Sequence, residues 1–171
     1  MEVSSDLIEE DPDFNYLTVG TAHGTVFIAD CSDDREPVNY IHQSENRDRF
    51  ALLCLLYGWM YSNDCQFIYK KSRPNLVYSV DHGHFFPGGP NWTERDLMQA
   101  PQAELDPFLH KRCKFTTDEI CSALRALESV SEERIIQAVA TPPNEWGLTL
   151  DERVTLVEYL IRKQQQLLTL L

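Results

Sequence analysis
The strongest hydrophobic pattern in the chain lies at residues 50–60, where Phe50-Ala51-Leu52-Leu53-Cys54-Leu55-Leu56-Tyr57-Gly58-Trp59-Met60 leaves a helix no polar face. Asn46 is a suitable cap, so the pattern predicts a helix over 47–62, and a helix apolar on every side belongs inside the fold. Leu53, Leu56 and Met60 are its expected core positions. Two β-prone runs follow, Gln66-Phe67-Ile68-Tyr69-Lys70 and Asn75-Leu76-Val77-Tyr78-Ser79-Val80, and Ser72-Arg73-Pro74 between them predicts a hairpin. Upstream, Thr25-Val26-Phe27-Ile28-Ala29 reads as a short strand between Gly24 and a turn at Cys31-Ser32-Asp33-Asp34.

The last third of the chain is patterned for helices. Thr93 with Glu94 opens a short one, Thr116 and Glu119 form a capping box, Ser131 caps residues 132–140, and Thr149 with Glu152 caps the last helix. That helix repeats apolar positions at Val154, Val157, Ile161, Leu168 and Leu171, with Gln164 as the polar exception, which reads as a packing stripe. The expected fold class is α+β and mostly helical: a central buried helix, a small β-hairpin and a C-terminal helical bundle. Residues 1–19 read as an acidic lead-in, and 20–95 and 96–171 as two parts of one domain.

Composition narrows the function. With 171 residues, 43% of them hydrophobic, the chain can bury a core without staples. A net charge of -12 argues against nucleic acid as a partner, because that affinity rests on Lys and Arg neutralising phosphates. It also means that phosphate chemistry here needs a metal ion or a local basic patch. The longest apolar stretch, about a dozen residues, is too short for a bilayer, and the acidic N-terminus has no secretory pattern. Cys31, Cys54, Cys65, Cys113 and Cys121 are odd in number and lack paired spacing, which suits reduced thiols and a cytoplasmic location.

Chemistry is concentrated between the buried helix and the loop after the hairpin. Asp64 stands before the first hairpin strand and Asp81 after the second, so the hairpin can bring both carboxylates to one cleft, as phosphoryl transfer requires. His82 and His84, two apart, could join Asp81 on a metal or support it by hydrogen bonding. Gly88-Gly89 reads as a turn before a phosphate cradle, and Phe85, Phe86 and Trp92 as loop anchors. Lys70, Lys71 and Arg73 cluster at the hairpin tip, a solvated turn or a contact for an acidic partner.

Asn63-Asp64, the hairpin and Val80-Asp81-His82-Gly83-His84-Phe85-Phe86, with Gly88-Gly89-Pro90-Asn91-Trp92-Thr93 after it, resemble the catalytic and metal-binding segments of HipA-like kinases, bacterial relatives of the protein-kinase fold. The likeness spans about residues 20–95. It implies a protein-kinase-like C-lobe that uses ATP and Mg2+ to phosphorylate a Ser or Thr hydroxyl of a protein substrate. By it, Asp64 orients the acceptor hydroxyl, Asp81 is the magnesium ligand, and Asn63 and Gln66 take part in cofactor binding. Gln66 would also be a second metal ligand. After Asp64 the chain reads Cys65-Gln66-Phe67, without the family's Arg-His pair, and Gln66 is the nearest stand-in for its metal-binding asparagine. No glycine-rich loop or paired lysine precedes residue 20, and the stretch 3–15 resembles the hinge to an N-lobe. The expectation is a C-lobe whose N-lobe is missing from this sequence and whose own ATP affinity is weak. Two other readings stand beside it: a non-catalytic kinase-like interaction module, and a metal-dependent hydrolase built on Asp81, His82 and His84.

Overall fold
The fold was analysed in a computed structural model, which describes residues 2–10, 18–23, 27–33 and 38–171. It is α+β and mostly helical. Its elements in chain order are β1 (Glu2–Val3), α1 (Ser5–Glu10), β2 (Gly20–Thr21), β3 (Cys31–Ser32), α2 (Ser44–Met60), β4 (Gln66–Lys70) and β5 (Val77–Val80). The helices α3 (Glu94–Gln99), α4 (Pro107–Cys113), α5 (Thr117–Glu128), α6 (Glu132–Ala140) and α7 (Leu150–Leu168) complete them. β1 pairs with β2, and β3, β4 and β5 form an antiparallel sheet in that order. Within it Gln66 lies opposite Val80 and Tyr69 opposite Val77.

α2 divides the interior in two. Ala51, Leu55 and Trp59 recur one helical turn apart and face α5 and α7, joining a core cluster with Leu97, Leu124, Leu127, Ile135, Tyr159 and Leu160. Phe50, Cys54 and Tyr57 form a second stripe, facing the sheet and α4 through Phe67, Tyr69, Val77 and Leu109. Two cores on two faces explain why the sequence of α2 shows no polar side. The expected core positions need correction, since Leu53, Leu56 and Met60 lie on the margins and are only half-buried, while Leu52 is 46% exposed. Gly58 has its own reason: a Cβ there would stand 1.9 Å from the carbonyl oxygen of Glu104, whose strand of backbone crosses the helix at that point. The Asp106 N–H donates to the Cys54 carbonyl at 3.0 Å in the same crossing.

The start of α2 also differs from the expectation. The helix begins at Ser44, its N-cap is Gln43, and Asn46 sits inside it, fully buried. The Asn46 Oδ1 accepts from the Val77 N–H at 2.9 Å, and its Nδ2 donates to the Asn75 carbonyl at 2.8 Å, so its amide bolts the hairpin to the helix instead of capping it. Of the short strand expected at 25–29, Thr25 and Val26 lie outside the described residues, and Phe27, Ile28 and Ala29 are irregular. The strand is Cys31–Ser32, in the stretch read as a turn, paired with Tyr69 and Lys70.

The helix starts at Thr93, Thr116, Ser131 and Thr149 carry side-chain caps, three of them full capping boxes. In α7 the buried stripe is Leu156, Tyr159, Leu160, Lys163, Gln164 and Leu167, rotated from the one read in the sequence, and Val154 is exposed. Gln164 is buried because its Nε2 donates to the carbonyls of Leu127 (2.9 Å) and Val130 (2.7 Å), closing the end of α5. Lys163 is buried too; its Nζ donates to the Pro101 carbonyl, and burial lowers its pKa. Among the described residues no helix is long and apolar enough to cross a membrane.

Candidate active site at the open end of the hairpin
Tyr61, with a left-handed φ of 55°, ends α2 and turns the chain toward β4. The Phe86 N–H donates to the Met60 carbonyl at 2.8 Å, and the Asn63 N–H donates to the His84 carbonyl at 3.1 Å. Asn63 Nδ2 reaches the carbonyls of His84 (3.4 Å) and Phe86 (3.1 Å). The loop after β5 is thereby stitched to the end of α2, and Asn63, the residue expected to bind cofactor, spends its amide N–H groups as a brace.

Register carries the two aspartates to the same end of the hairpin. Gln66 pairs with Val80; Asp64 stands two residues before the first and Asp81 one residue after the second. Both aspartates therefore stand at the same open end of the hairpin, and both are exposed. Gln66 Nε2 donates to Asp64 Oδ2 at 2.8 Å, and the Ser62 hydroxyl donates to the Asp64 carbonyl at 2.5 Å. With its NH2 turned to Asp64, the Gln66 amide directs its carbonyl oxygen away from that carboxylate. Asp81 has a φ of 53°, a conformation that Asp and Asn accept more readily than most residues and that lifts the chain out of the strand.

Behind Asp81 runs a hydrogen-bonded row that the sequence alone did not reveal. The buried Tyr57 hydroxyl bonds to the Ser79 hydroxyl, and Ser79 Oγ lies 2.6 Å from His82 Nε2. Burial pushes the Tyr57 phenol up to about 12, so it stays protonated. The His82 ring lies 4.9 Å from that of Phe85. The only sequence signal for this row is Ser79, a small polar residue in an otherwise apolar and aromatic strand. Asp81, His82 and His84 do not converge: among the described residues no group of three or more His, Cys, Asp or Glu side chains is placed to hold a metal ion. A cleft of about 790 Å³ opens beside this row, with Phe27, Ile28, Ile68 and Val80 as its apolar wall and Ser79, Asp81 and His82 as its polar edge.

The remaining candidates have structural work. The Gly89 N–H donates to the Phe86 carbonyl at 2.9 Å, and at Gly88, with φ 93°, a Cβ would meet the Trp92 Cα at 2.9 Å, so the glycine pair builds a tight turn. Phe86 and Trp92 pack on the helical core. Lys70 Nζ donates to the Ala29 carbonyl at 2.6 Å. All five cysteines are free thiols, and burial raises Cys54 and Cys65 to about 12 and Cys113 to about 11, which keeps them unreactive. Comparison with family models, curated proteins and solved structures finds no match to this chain.

Proposed function
We propose that the open end of the hairpin is a phosphoryl-transfer site of the kinase type, belonging to a protein-kinase-like C-lobe. The observation that carries this reading is the register that puts Asp64 and Asp81 at one end of the hairpin, with Gln66 Nε2 bonded to Asp64 and Asn63 bracing the loop after β5. Two carboxylates and an amide oxygen are hard oxygen donors, the kind that Mg2+ selects. Asp81 and the Gln66 carbonyl oxygen would hold that ion. Bound magnesium with ATP supplies charge neutralisation at the phosphates and the transferable phosphoryl group. Asp64, held by the Gln66 amide, accepts a hydrogen bond from a Ser or Thr hydroxyl of a protein substrate and orients it for in-line attack. The loop stitched to Met60 keeps these groups in place, and the row from Tyr57 to His82 stiffens the strand that ends in Asp81.

The test is a calorimetric titration of the chain with ATP, with and without magnesium. The expected result is weak binding, high micromolar or worse, that needs magnesium and is lost in Asp81→Asn without a change in thermal midpoint. Asn tolerates the left-handed backbone at this position, so the loss reports the carboxylate. Binding that persists in Asp81→Asn would contradict the reading. Absence of magnesium-dependent heat in the wild-type chain would also overturn it and leave the interaction module.

A further inference from the structure
Residues 107–115, Pro107-Phe108-Leu109-His110-Lys111-Arg112-Cys113-Lys114-Phe115, contain three permanent cations, a histidine and no acid, in a chain of net charge -12. Cations in the last turn of α4 complement the helix dipole, which accounts for some of this charge but not for what surrounds it. Leu109 and Cys113 are buried in the hairpin-side core and anchor the helix, while Phe108, Lys111, Arg112 and Lys114 are exposed. Phe108 is 44% exposed, an unusual position for a phenylalanine beside three cations. One cleft of about 610 Å³ lies against Phe108 and is walled by Val38 and Ile41. Another of about 670 Å³ is floored by Leu105, Pro107 and the exposed Leu170, with Glu104 as its acidic exception. Lys111 and Lys114 line both, so the two clefts share a cationic ridge.

We infer that this face of α4 is a docking surface for a short acidic segment of a partner protein that carries a bulky apolar residue. Carboxylates of the segment pair with Lys111 and Lys114, and its apolar side chain enters the cleft beside Phe108. Charge complementarity selects this occupant. At physiological salt the Debye length is about 8 Å, so a short peptide feels the local cations more than the distant acids. A nucleic acid extends over many phosphates and meets the rest of a strongly acidic surface. The clefts also offer apolar sockets that a phosphate backbone cannot fill. The inference stands independently of the hairpin site.

The test uses a fluorescein-labelled peptide of Asp and Glu residues interrupted by one Phe and one Leu, titrated with the full chain at physiological salt and read by anisotropy. Saturable binding is expected, weakened at least about tenfold by K111E/K114E, as loss and reversal of close charge pairs should do. Phe108→Ser should weaken it several-fold. All three positions are exposed, so these variants should stay folded, with K111E/K114E lowered only slightly in thermal midpoint by the loss of favourable charge at the end of α4. A peptide with Lys in place of the acids, a single-stranded oligonucleotide and phosphatidylserine vesicles serve as competitors. Absence of saturable binding, equal binding by the lysine peptide, tighter binding of the oligonucleotide or vesicles, or wild-type affinity in K111E/K114E would each overturn the inference.

Discussion
The two faces of α2 are held by different kinds of interaction. On the bundle side Ala51, Leu55 and Trp59 belong to an apolar cluster shared with leucine, isoleucine and tyrosine side chains of the C-terminal helices, and the Trp59 Nε1–H donates to the Leu160 carbonyl at 2.8 Å. On the hairpin side the apolar core is threaded by directional bonds: Asn46 to Val77 and Asn75, Tyr57 to Ser79, and the Tyr69 hydroxyl to the Asn39 N–H at 2.9 Å. Apolar burial is non-directional and supplies stability, whereas hydrogen bonds fix register and orientation. The bundle side therefore keeps α2 folded, and the hairpin side keeps the ends of β4 and β5, where Asp64 and Asp81 stand, in a defined position.

Substitutions on α2 should separate these roles. Trp59→Ala, on the bundle side, should cost about 3 to 5 kcal/mol through lost burial and the cavity left behind, whereas Leu52→Ala, at the exposed position of the same helix, should stay within about 0.5 kcal/mol. Chemical denaturation of both variants checks this, and similar losses for the two would remove the distinction between faces. On the hairpin side, Asn46→Ala should cost about 1 to 3 kcal/mol, because the Val77 N–H would be left buried and unpaired. It should also broaden amide signals of β5 more than those of α7, which a purely apolar loss would not do.

The smallest expected effect depends on pH. The Arg47 guanidinium, hydrogen-bonded to Glu119, lowers that carboxyl to about 2, with the Thr116 cap adding to the effect. Because the folded value lies below the ordinary one, the pair contributes stability above about pH 4.5, and the contribution is lost as pH falls toward about 2. The side chains are partly exposed, so salt screens the pair and the contribution is modest. Glu119→Gln should lower the thermal midpoint slightly at neutral pH, and the difference from wild type should shrink through that window. A difference that stays constant would assign Glu119 to its neutral capping bonds alone.

What could be read from the sequence was local. The caps at Thr93, Thr116, Ser131 and Thr149 rest on bonds that close within four residues, and the hairpin on two strands separated by a short turn. What could not be read was decided by distant partners. Asn46 left the role of a cap because Asn75 and Val77 needed its amide. Cys31–Ser32 became a strand because β4 offered an open edge. Gln164, an exception in the apolar repeat of α7, is buried because the end of α5 has carbonyls to satisfy. The placement of Asp64 and Asp81 at the hairpin ends was legible, but the Tyr57–Ser79–His82 row was not, since its members are scattered over a helix, a strand and a loop.

The central claim, that Asp64, Gln66 and Asp81 form one cation site at the hairpin end, is tested most directly by paramagnetic Mn2+ as a stand-in for magnesium. Adding it to the isotopically labelled chain should broaden amide signals first around residues 63–66 and 79–84, and Asp81→Asn should abolish that selectivity while leaving the rest of the spectrum unchanged. Broadening spread over the acidic surface, with no preference for the hairpin end and no response to Asp81→Asn, would contradict the account.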